Sequence, residues 1–172
     1  FTEEAQVDKY ISDDGNNWEL AKAGVLPTPL LLAEGTNSEF VSLRVAYGGG
    51  QHALFLRRDL GTVLQFASDE GGNSFTQLTF DTSIDKLFGP RLLDLRYVSG
   101  RFALLALHQF PLASPGLANP GVALVGNAFE QIGLPDFVTI SEHPGSAAPT
   151  DTDAGGTLVQ EDDGTLWAYH ST

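Results

Sequence analysis

Short apolar runs alternate with glycine-rich polar turns along the chain, and this pattern predicts β-strands joined by hairpins. Between residues 40 and 80 the runs are Phe40–Tyr47, Ala53–Leu56, Thr62–Ala67 and Thr76–Phe80. Four short strands at a spacing of about ten residues are typical of an antiparallel meander. Glycine and proline interrupt every window long enough to show a helical period, so we predict no helix.

The same order of runs and turns recurs farther along the chain. Residues 93–104 overlay residues 43–54 at an offset of 50, with leucine, tyrosine, glycine and alanine in register. After a two-residue hairpin turn at Gly126–Asn127, residues 129–132 overlay residues 75–78. Residues 157–159 and 164–172 overlay residues 54–56 and 61–69 at an offset of 103. This last overlay predicts that the C-terminal hairpin repeats the second and third strands of the unit.

An aromatic residue follows each turn, and the spacing of these aromatic residues gives the length of the repeat. Trp18, Phe75 and Phe129 are 57 and 54 residues apart. Four-stranded units with this period predict the blades of a β-propeller, with an unrelated β-sandwich as the alternative. We therefore expect an all-β, propeller-like array of four-stranded antiparallel meander blades that is incomplete within residues 1–172. Its units are a half blade at 5–23, blades at 39–80 and 91–134, and a partial blade at 156–172.

The turn at residues 68–75 combines glycines with short polar side chains. Gly71 and Gly72 can adopt a positive φ, while Ser68 and Glu70 can bond exposed turn amides. Phe75 then opens the return strand with a large apolar ring. The turn at residues 12–17, before Trp18, echoes this arrangement.

These two turns resemble the Asp-box (BNR) repeats of the sialidase-like β-propellers, whose pattern is Ser/Thr, any, Asp, any, Gly, any, Thr, Trp/Phe. Ser68, Gly72, Ser74 and Phe75 fit the pattern, with Glu70 at the usual aspartate position. In the first turn Asp13, Gly15 and Trp18 fit if Ile11 takes the serine position, whereas aligning Ser12 with Ser68 requires a one-residue deletion. The resemblance implies a structural role for these residues, because the box joins the third and fourth strands of a blade.

The resemblance also implies which residues would form a sialidase-like site: an arginine triad, a tyrosine nucleophile with a glutamate, and an acidic proton donor. The candidate residues for these positions, all on the predicted inner strands, are Arg44, Arg91, Arg96, Tyr47, Tyr97 and Asp94. The Arg-Ile-Pro signature of the family is missing, and the two tyrosines repeat at equivalent blade positions, which favours packing. We therefore assign no catalytic residue and treat the arginines and tyrosines as candidate binding residues.

The sequence thus favours a non-enzymatic propeller scaffold that recognises a glycan or a protein. The alternatives are part of a sialidase-like glycoside hydrolase and a structural assembly subunit. Because the overlays begin and end the chain at a third strand, open sheet edges would remain. We expect these edges to be completed by another copy of the chain or by the rest of a larger propeller.

Composition narrows the partners and the cofactors. A formal net charge of -13 disfavours nucleic acid and anionic membranes, and no apolar run is long enough for a membrane span. The absence of cysteine excludes disulfides and thiolate metal sites.

Calcium is the one candidate cofactor, with Asp151 and Asp153 as candidate ligands. Since residue 1 is Phe and methionine is absent, we interpret the chain as a processed or excised product, and we expect an extracellular or periplasmic location.

Overall fold

The computed structural model describes residues 4–27, 30–31, 42–57, 63–78, 91–108, 119–133, 136–140 and 155–171, and the regular elements within them are β-strands. The strands are β1 (Glu4–Ala5), β2 (Lys9–Ile11), β3 (Glu19–Lys22), β4 (Leu30–Leu31), β5 (Ser42–Gly48), β6 (Gln51–Arg57), β7 (Val63–Ser68), β8 (Thr76–Gln77), β9 (Arg91–Val98), β10 (Arg101–His108), β11 (Asn119–Val125), β12 (Val138–Thr139), β13 (Gly156–Gln160) and β14 (Leu166–His170). Within these ranges no helix is long and apolar enough to cross a membrane.

Two complete antiparallel meanders form the centre of the fold. The first sheet has the order β5-β6-β7-β8, and the second sheet has the order β9-β10-β11-β12 when read from its first strand. Two hairpins flank them: β2 pairs with β3, here the N-terminal hairpin, and β13 pairs with β14, here the C-terminal hairpin. A short pair, β1 with β4, completes the described strands. The predicted all-β array of four-stranded antiparallel meanders is confirmed.

The sheets stack face to face, and apolar side chains fill the space between them. Phe55 and Ala53 of the first sheet share a buried cluster with Phe102 and Leu104 of the second sheet. The first strands of the two sheets, β5 and β9, lie beside each other. Because alternate residues of a strand point to opposite faces, each sheet buries one face against its predecessor and the other against its successor.

Smaller clusters lie on the outer sides of the two sheets. Leu54, Leu56, Phe66 and Phe75 of the first sheet pack with Val25, which follows the N-terminal hairpin. On the far side of the second sheet, a separate cluster joins it to the C-terminal hairpin. The chain order is therefore also the stacking order: N-terminal hairpin, first sheet, second sheet, C-terminal hairpin.

The second sheet departs from the predicted overlay after β11. Gly126 and Asn127 do not form a two-residue hairpin, because the fourth strand is Val138–Thr139, which pairs with Gly121 and Val122. The predicted equivalence of Phe129 with Phe75 is also wrong: Phe129 is exposed, whereas Phe75 is buried. The residues that enter the core after this turn are Ala128 and Ile132.

The C-terminal hairpin has a different register from the one that the offset of 103 predicts. That offset aligns Leu158 with Phe55, yet Phe55 faces the sheet that follows it, whereas Leu158 packs onto Leu93 and Leu105 of the sheet that precedes it. In addition, β13 lies beside β9, just as β9 lies beside β5. The C-terminal hairpin therefore repeats the first and second strands of the unit, and not the second and third.

Candidate functional site

The side chain of Arg44 on β5 links the two complete sheets by hydrogen bonds to the backbone. Its Nε donates a hydrogen bond of 2.7 Å to the Leu93 carbonyl oxygen on β9. One terminal nitrogen donates to the Leu43 carbonyl oxygen at 2.8 Å. Both bonds go to backbone acceptors, so this guanidinium joins neighbouring first strands.

Asp94 of β9 makes the corresponding link between the second sheet and the C-terminal hairpin. Its Oδ2 accepts hydrogen bonds from the Leu158 amide at 2.8 Å and from Thr157 Oγ1 at 3.0 Å. Arg96 Nε lies 3.0 Å from the same oxygen. Burial alone would raise the pKa of Asp94, but the bonds from Leu158, Arg96 and Thr157 together bring this pKa below its ordinary value. Asp94 is therefore an ionised structural acceptor at neutral pH.

The two predicted tyrosines occupy equivalent positions but have different surroundings. The Tyr97 ring packs against Gly48 and Gly49 at the end of the first hairpin, and it meets the Phe102 ring with centroids 4.9 Å apart. The Tyr47 ring is 62% exposed and lies over the His52 ring, with centroids 4.5 Å apart. Tyr97 is thus an inter-sheet packing residue, and Tyr47 presents the same side chain at the uncovered face of the first sheet.

Buried polar side chains collect at one end of the sheets, where the first strands begin. Arg57, opposite Ser42 in the β5–β6 pair, is only 6% exposed, and Asn119 is 9% exposed. Ser42 Oγ is buried and has no hydrogen-bond partner among the described residues. Arg91 begins β9 at the same end. We name Ser42, Arg57, Arg91 and Asn119 the polar end.

The five candidate binding residues do not form one site. Arg44, Arg96 and Tyr97 are engaged in contacts between or within sheets, Tyr47 is exposed over His52, and Arg91 lies at the polar end. Arg57 is not among the residues that the sequence predicts for a site. The available signal was its position directly after the apolar run Ala53–Leu56.

The first Asp-box-like turn is organised by a carboxylate that belongs to Asp14. Its Oδ1 accepts hydrogen bonds from the backbone amides of Asn16 at 2.8 Å and Asn17 at 2.9 Å. These backbone bonds, followed by those from the Asn17 and Ser12 side chains, lower the pKa of Asp14 far below its ordinary value of 3.8. The predicted turn residue Asp13 is therefore wrong by one position, because the carboxylate that bonds the turn amides is that of Asp14.

The remaining contacts of this turn support the alignment with a one-residue deletion. The pairs Ile11–Glu19 and Ala67–Thr76 show that the first turn is one residue shorter than the second. In both turns the serine Oγ accepts from a turn amide, from Gly15 at 2.8 Å for Ser12 and from Glu70 at 3.2 Å for Ser68. Gly15 has a φ of 74°, and its carbonyl oxygen accepts from Trp18 Nε1 at 3.1 Å. Ser12 is therefore the counterpart of Ser68.

The second turn contacts both its own sheet and the N-terminal hairpin. Gly71 and Gly72 have φ values of 66° and 71°, which favour glycine. Gly72 also lies against the His52 ring. The Phe75 amide donates to the Val25 carbonyl oxygen at 3.0 Å, and its ring is buried beside Val25. Phe75 thus anchors the turn between two neighbouring units.

At two of the three junctions, a polar residue of the third strand reaches the turn of the next unit. Lys9 Nζ of β2 donates to the Gly71 carbonyl oxygen at 2.7 Å and to Asn73 Oδ1 at 3.1 Å. Gln65 of β7 donates to the Glu130 carbonyl oxygen at 2.7 Å and accepts from the Ile132 amide at 3.2 Å. Since Ser12 corresponds to Ser68, Lys9 corresponds to Gln65. These contacts define a repeated inter-sheet joint.

The candidate calcium ligands Asp151 and Asp153 lie outside the described residues. Within the described parts of the chain, no group of three or more His, Asp or Glu side chains is arranged to hold a metal ion.

No protein-family model and no curated protein matches the chain. Among solved structures, the chain is similar to the GH43 endo-arabinanase from Bacillus licheniformis, with 18% identity, 78% of this chain and 48% of that chain covered, and a TM-score of 0.41. It is also similar to Zg3597, a family 117 glycoside hydrolase produced by the marine bacterium Zobellia galactanivorans. Here the identity is 12%, 96% of this chain and 52% of that chain are covered, and the TM-score is 0.47. The chain spans about half the length of these two proteins.

Proposed function

We propose that the chain is a propeller scaffold of the Asp-box type that recognises a carboxylate-bearing glycan at its polar end. The observation that carries this proposal is the burial of Arg57, next to Ser42 and at the same end as Arg91 and Asn119. The chain has only 9 basic residues against 22 acidic ones, so a guanidinium sequestered at a strand end is unusual here. Guanidinium groups bind carboxylates through paired hydrogen bonds, and amide and hydroxyl groups bind sugar hydroxyls.

The Asp-box turns have a folding role in this proposal. Their serine, aspartate and aromatic residues bond within the turn or to the neighbouring unit. None of these residues belongs to the polar end. They would therefore fix the sheet spacing on which the polar end depends.

A sialidase-like hydrolase receives less support from the described residues. Hydrolysis by a carboxylate pair needs two acidic groups on either side of the scissile bond. The described parts of the first strands β5, β9 and β13 contain a single acidic residue, Asp94. Its Oδ2 is already bonded to Thr157, Leu158 and Arg96.

Calorimetric titration tests the binding proposal. Oligosaccharides that end in a uronic or sialic acid should bind, and neutral oligosaccharides of the same length should bind much more weakly. Arg91→Gln should weaken binding roughly 10-fold or more, because one charge-assisted hydrogen bond contributes about 1.5–3 kcal/mol. Arg101→Gln is the matched control, since Arg101 is an exposed arginine at the opposite end of the second sheet.

Two outcomes would contradict the proposal. Equal affinity for acidic and neutral oligosaccharides would remove the role of the arginines. Release of free sugar from the same acidic oligosaccharides over time, at a rate proportional to protein concentration, would favour the hydrolase.

A further inference from the structure

Most of the large apolar side chains that are exposed belong to faces that the repeat buries elsewhere. On β14, Trp167 is 48% exposed, whereas Ala103, its counterpart on β10, is fully buried by the next unit. On the first turn, Trp18 is 61% exposed, whereas its counterpart Phe75 is 5% exposed. The exposure therefore marks positions where a neighbouring sheet would pack.

These exposed faces are two halves of the same junction. On the C-terminal hairpin, Val159, Trp167 and Tyr169 point away from the second sheet, since Leu158, Leu166 and Ala168 face it. On β5 of the first sheet, the exposed residues are Leu43, Val45 and Tyr47, and they point toward the preceding unit.

The hairpins themselves are complementary. The N-terminal hairpin supplies third and fourth strands and packs before the first sheet, and within the described residues β2 and β3 form a two-stranded sheet to which no further strand is added. The C-terminal hairpin supplies first and second strands and packs after the second sheet, but the described residues there include no third or fourth strand. One hairpin of each kind makes a complete four-stranded unit.

We infer that two copies of the chain associate head to tail, with β14 of one copy pairing along β2 of the other to form a composite four-stranded sheet. Trp167 and Tyr169 of one copy then cover Leu43, Val45 and Tyr47 of the other. The N-terminal hairpin of the second copy likewise covers Leu124 and Val138, which are exposed on the far side of the second sheet.

The number of sheets selects a dimer. The described residues of each copy form two four-stranded sheets and a two-stranded hairpin at either side, so two copies supply the strands of six four-stranded sheets, whereas three copies would supply those of nine. Closed propellers have about four to eight blades, so a pair of copies closes the ring and removes its open edges. Both junctions in the pair are equivalent under a two-fold axis.

The register of the composite sheet follows from the first sheet. There Leu54 pairs with Phe66. Ala168 corresponds to Leu54, because each lies three residues after the residue that first pairs across its turn, Thr165 for Ala168 and Gln51 for Leu54. Tyr10 corresponds to Phe66, because Ser12 corresponds to Ser68. Ala168 of one copy therefore lies opposite Tyr10 of the other.

Mass measurement of the purified chain by light scattering during gel filtration tests the association. We expect twice the chain mass of 18.4 kDa at micromolar concentrations. Trp167→Lys should shift the protein to monomer, while Phe129→Lys, an exposed aromatic residue in the turn after β11, should leave the dimer intact. Circular dichroism of each variant shows whether the sheets remain folded.

Cysteine cross-linking tests the register and remains informative if Trp167→Lys fails to fold. The chain contains no cysteine, so a double variant with Ala168→Cys and Tyr10→Cys carries only the designed pair. Oxidation should give a covalent dimer on a non-reducing denaturing gel, because opposed Cβ atoms in neighbouring strands lie within disulfide reach. The control pair, Ala168→Cys with Ile11→Cys, places one thiol on the other face and should cross-link at least 10-fold more slowly. A monomer, an open series of larger species, or equal cross-linking of both pairs would overturn the proposal.

Discussion

The contact between Gly48 and Tyr97 provides the sharpest test of how the two complete sheets are joined. A Cβ atom added at Gly48 would lie 1.9 Å from Cγ, 2.0 Å from Cδ1 and 2.5 Å from Cβ of Tyr97. These atoms are at the base of the side chain, so a rotation of the ring tip cannot relieve the overlap. Gly48→Ala must expel the Tyr97 ring or separate β5 from β9.

The expected cost follows from those two alternatives. Overpacking of a dense core costs about 1–3 kcal/mol and sometimes more. Loss of the Tyr97–Phe102 ring contact adds about 0.5–1.5 kcal/mol. We therefore expect Gly48→Ala to lower the free energy of unfolding by about 3 kcal/mol. When Tyr97 is replaced by glycine, all three of these atoms, including Cβ, are removed, and alanine at position 48 is then favoured over glycine in a strand by roughly 0.5–1 kcal/mol.

Urea denaturation of the four proteins in this mutant cycle, at one fixed protein concentration, measures the coupling directly. Gly48→Ala should be strongly destabilising with Tyr97 present and neutral or stabilising with Tyr97→Gly. Gly126→Ala is the control, because its nearest neighbour, Glu130 Oε2, would be 3.4 Å from the new Cβ atom. An equal cost of Gly48→Ala in both backgrounds would refute the packing argument.

Three further predictions concern the joints and the turns. Gln65→Leu should lower the free energy of unfolding by roughly 2–4 kcal/mol in urea melts, because it leaves the Ile132 amide and the Glu130 carbonyl without their partner, while exposed Gln77→Leu should change it little. Asp14→Ala should lower the melting temperature, whereas a similar or larger loss with Asp13→Ala would show that the wrong carboxylate has been assigned to the turn. Burial, followed by the charge of Lys9, lowers the pKa of His52 below its ordinary value of 6.5, so the unfolded chain takes up the proton first and stability should fall as the pH drops below 6.5. Replacing His52 with phenylalanine should flatten this part of the pH–stability curve, and an unchanged slope would contradict the assignment.

The strands of the two complete sheets could be predicted because local sequence determines them. In residues 42–78, apolar runs and glycine turns specify where the chain extends and where it reverses. The predicted strand at Ala53–Leu56 lies within β6, and the predicted strand at Thr62–Ala67 overlaps β7. Hairpin turns of this kind need only neighbouring residues, so one sequence contains the information for them.

The register of the C-terminal hairpin could not be predicted in the same way. A shift of one residue turns every side chain to the opposite face of a sheet. Strands buried on both faces are apolar at successive positions, so their sequence does not distinguish the two faces. Thr157–Leu158–Val159 fits either register in an overlay, and the packing of Leu158 against Leu93, together with the position of β13 beside β9, decides between them.

The polar end and the role of Tyr97 depend on contacts between residues far apart in sequence. Tyr97 meets Gly48 across a sheet interface, and the repeated tyrosine indicated packing without identifying that partner. Arg57 and Asn119 are far apart in sequence, and they lie at the same end of the fold only because of how the strands of the two sheets are arranged. The carboxylate in the first turn was missed for a local reason, since Asp13 and Asp14 are adjacent and only the hydrogen-bond geometry identifies Asp14.

The correspondence between Lys9 and Gln65 indicates what the turns do in the fold: they accept hydrogen bonds from the preceding unit and so join neighbouring units. In each case a third-strand side chain bonds to the turn that follows the third strand of the next unit, although one side chain is an exposed ammonium and the other a buried amide. Because the bonds go mainly to backbone atoms, the turn's conformation is what the joint recognises, and its sequence is free to vary. This explains why the turn after β11 forms the same joint with Gln65 although it lacks the Asp-box pattern. The fold therefore repeats a joint geometry, which a search for repeated residues detects only in part.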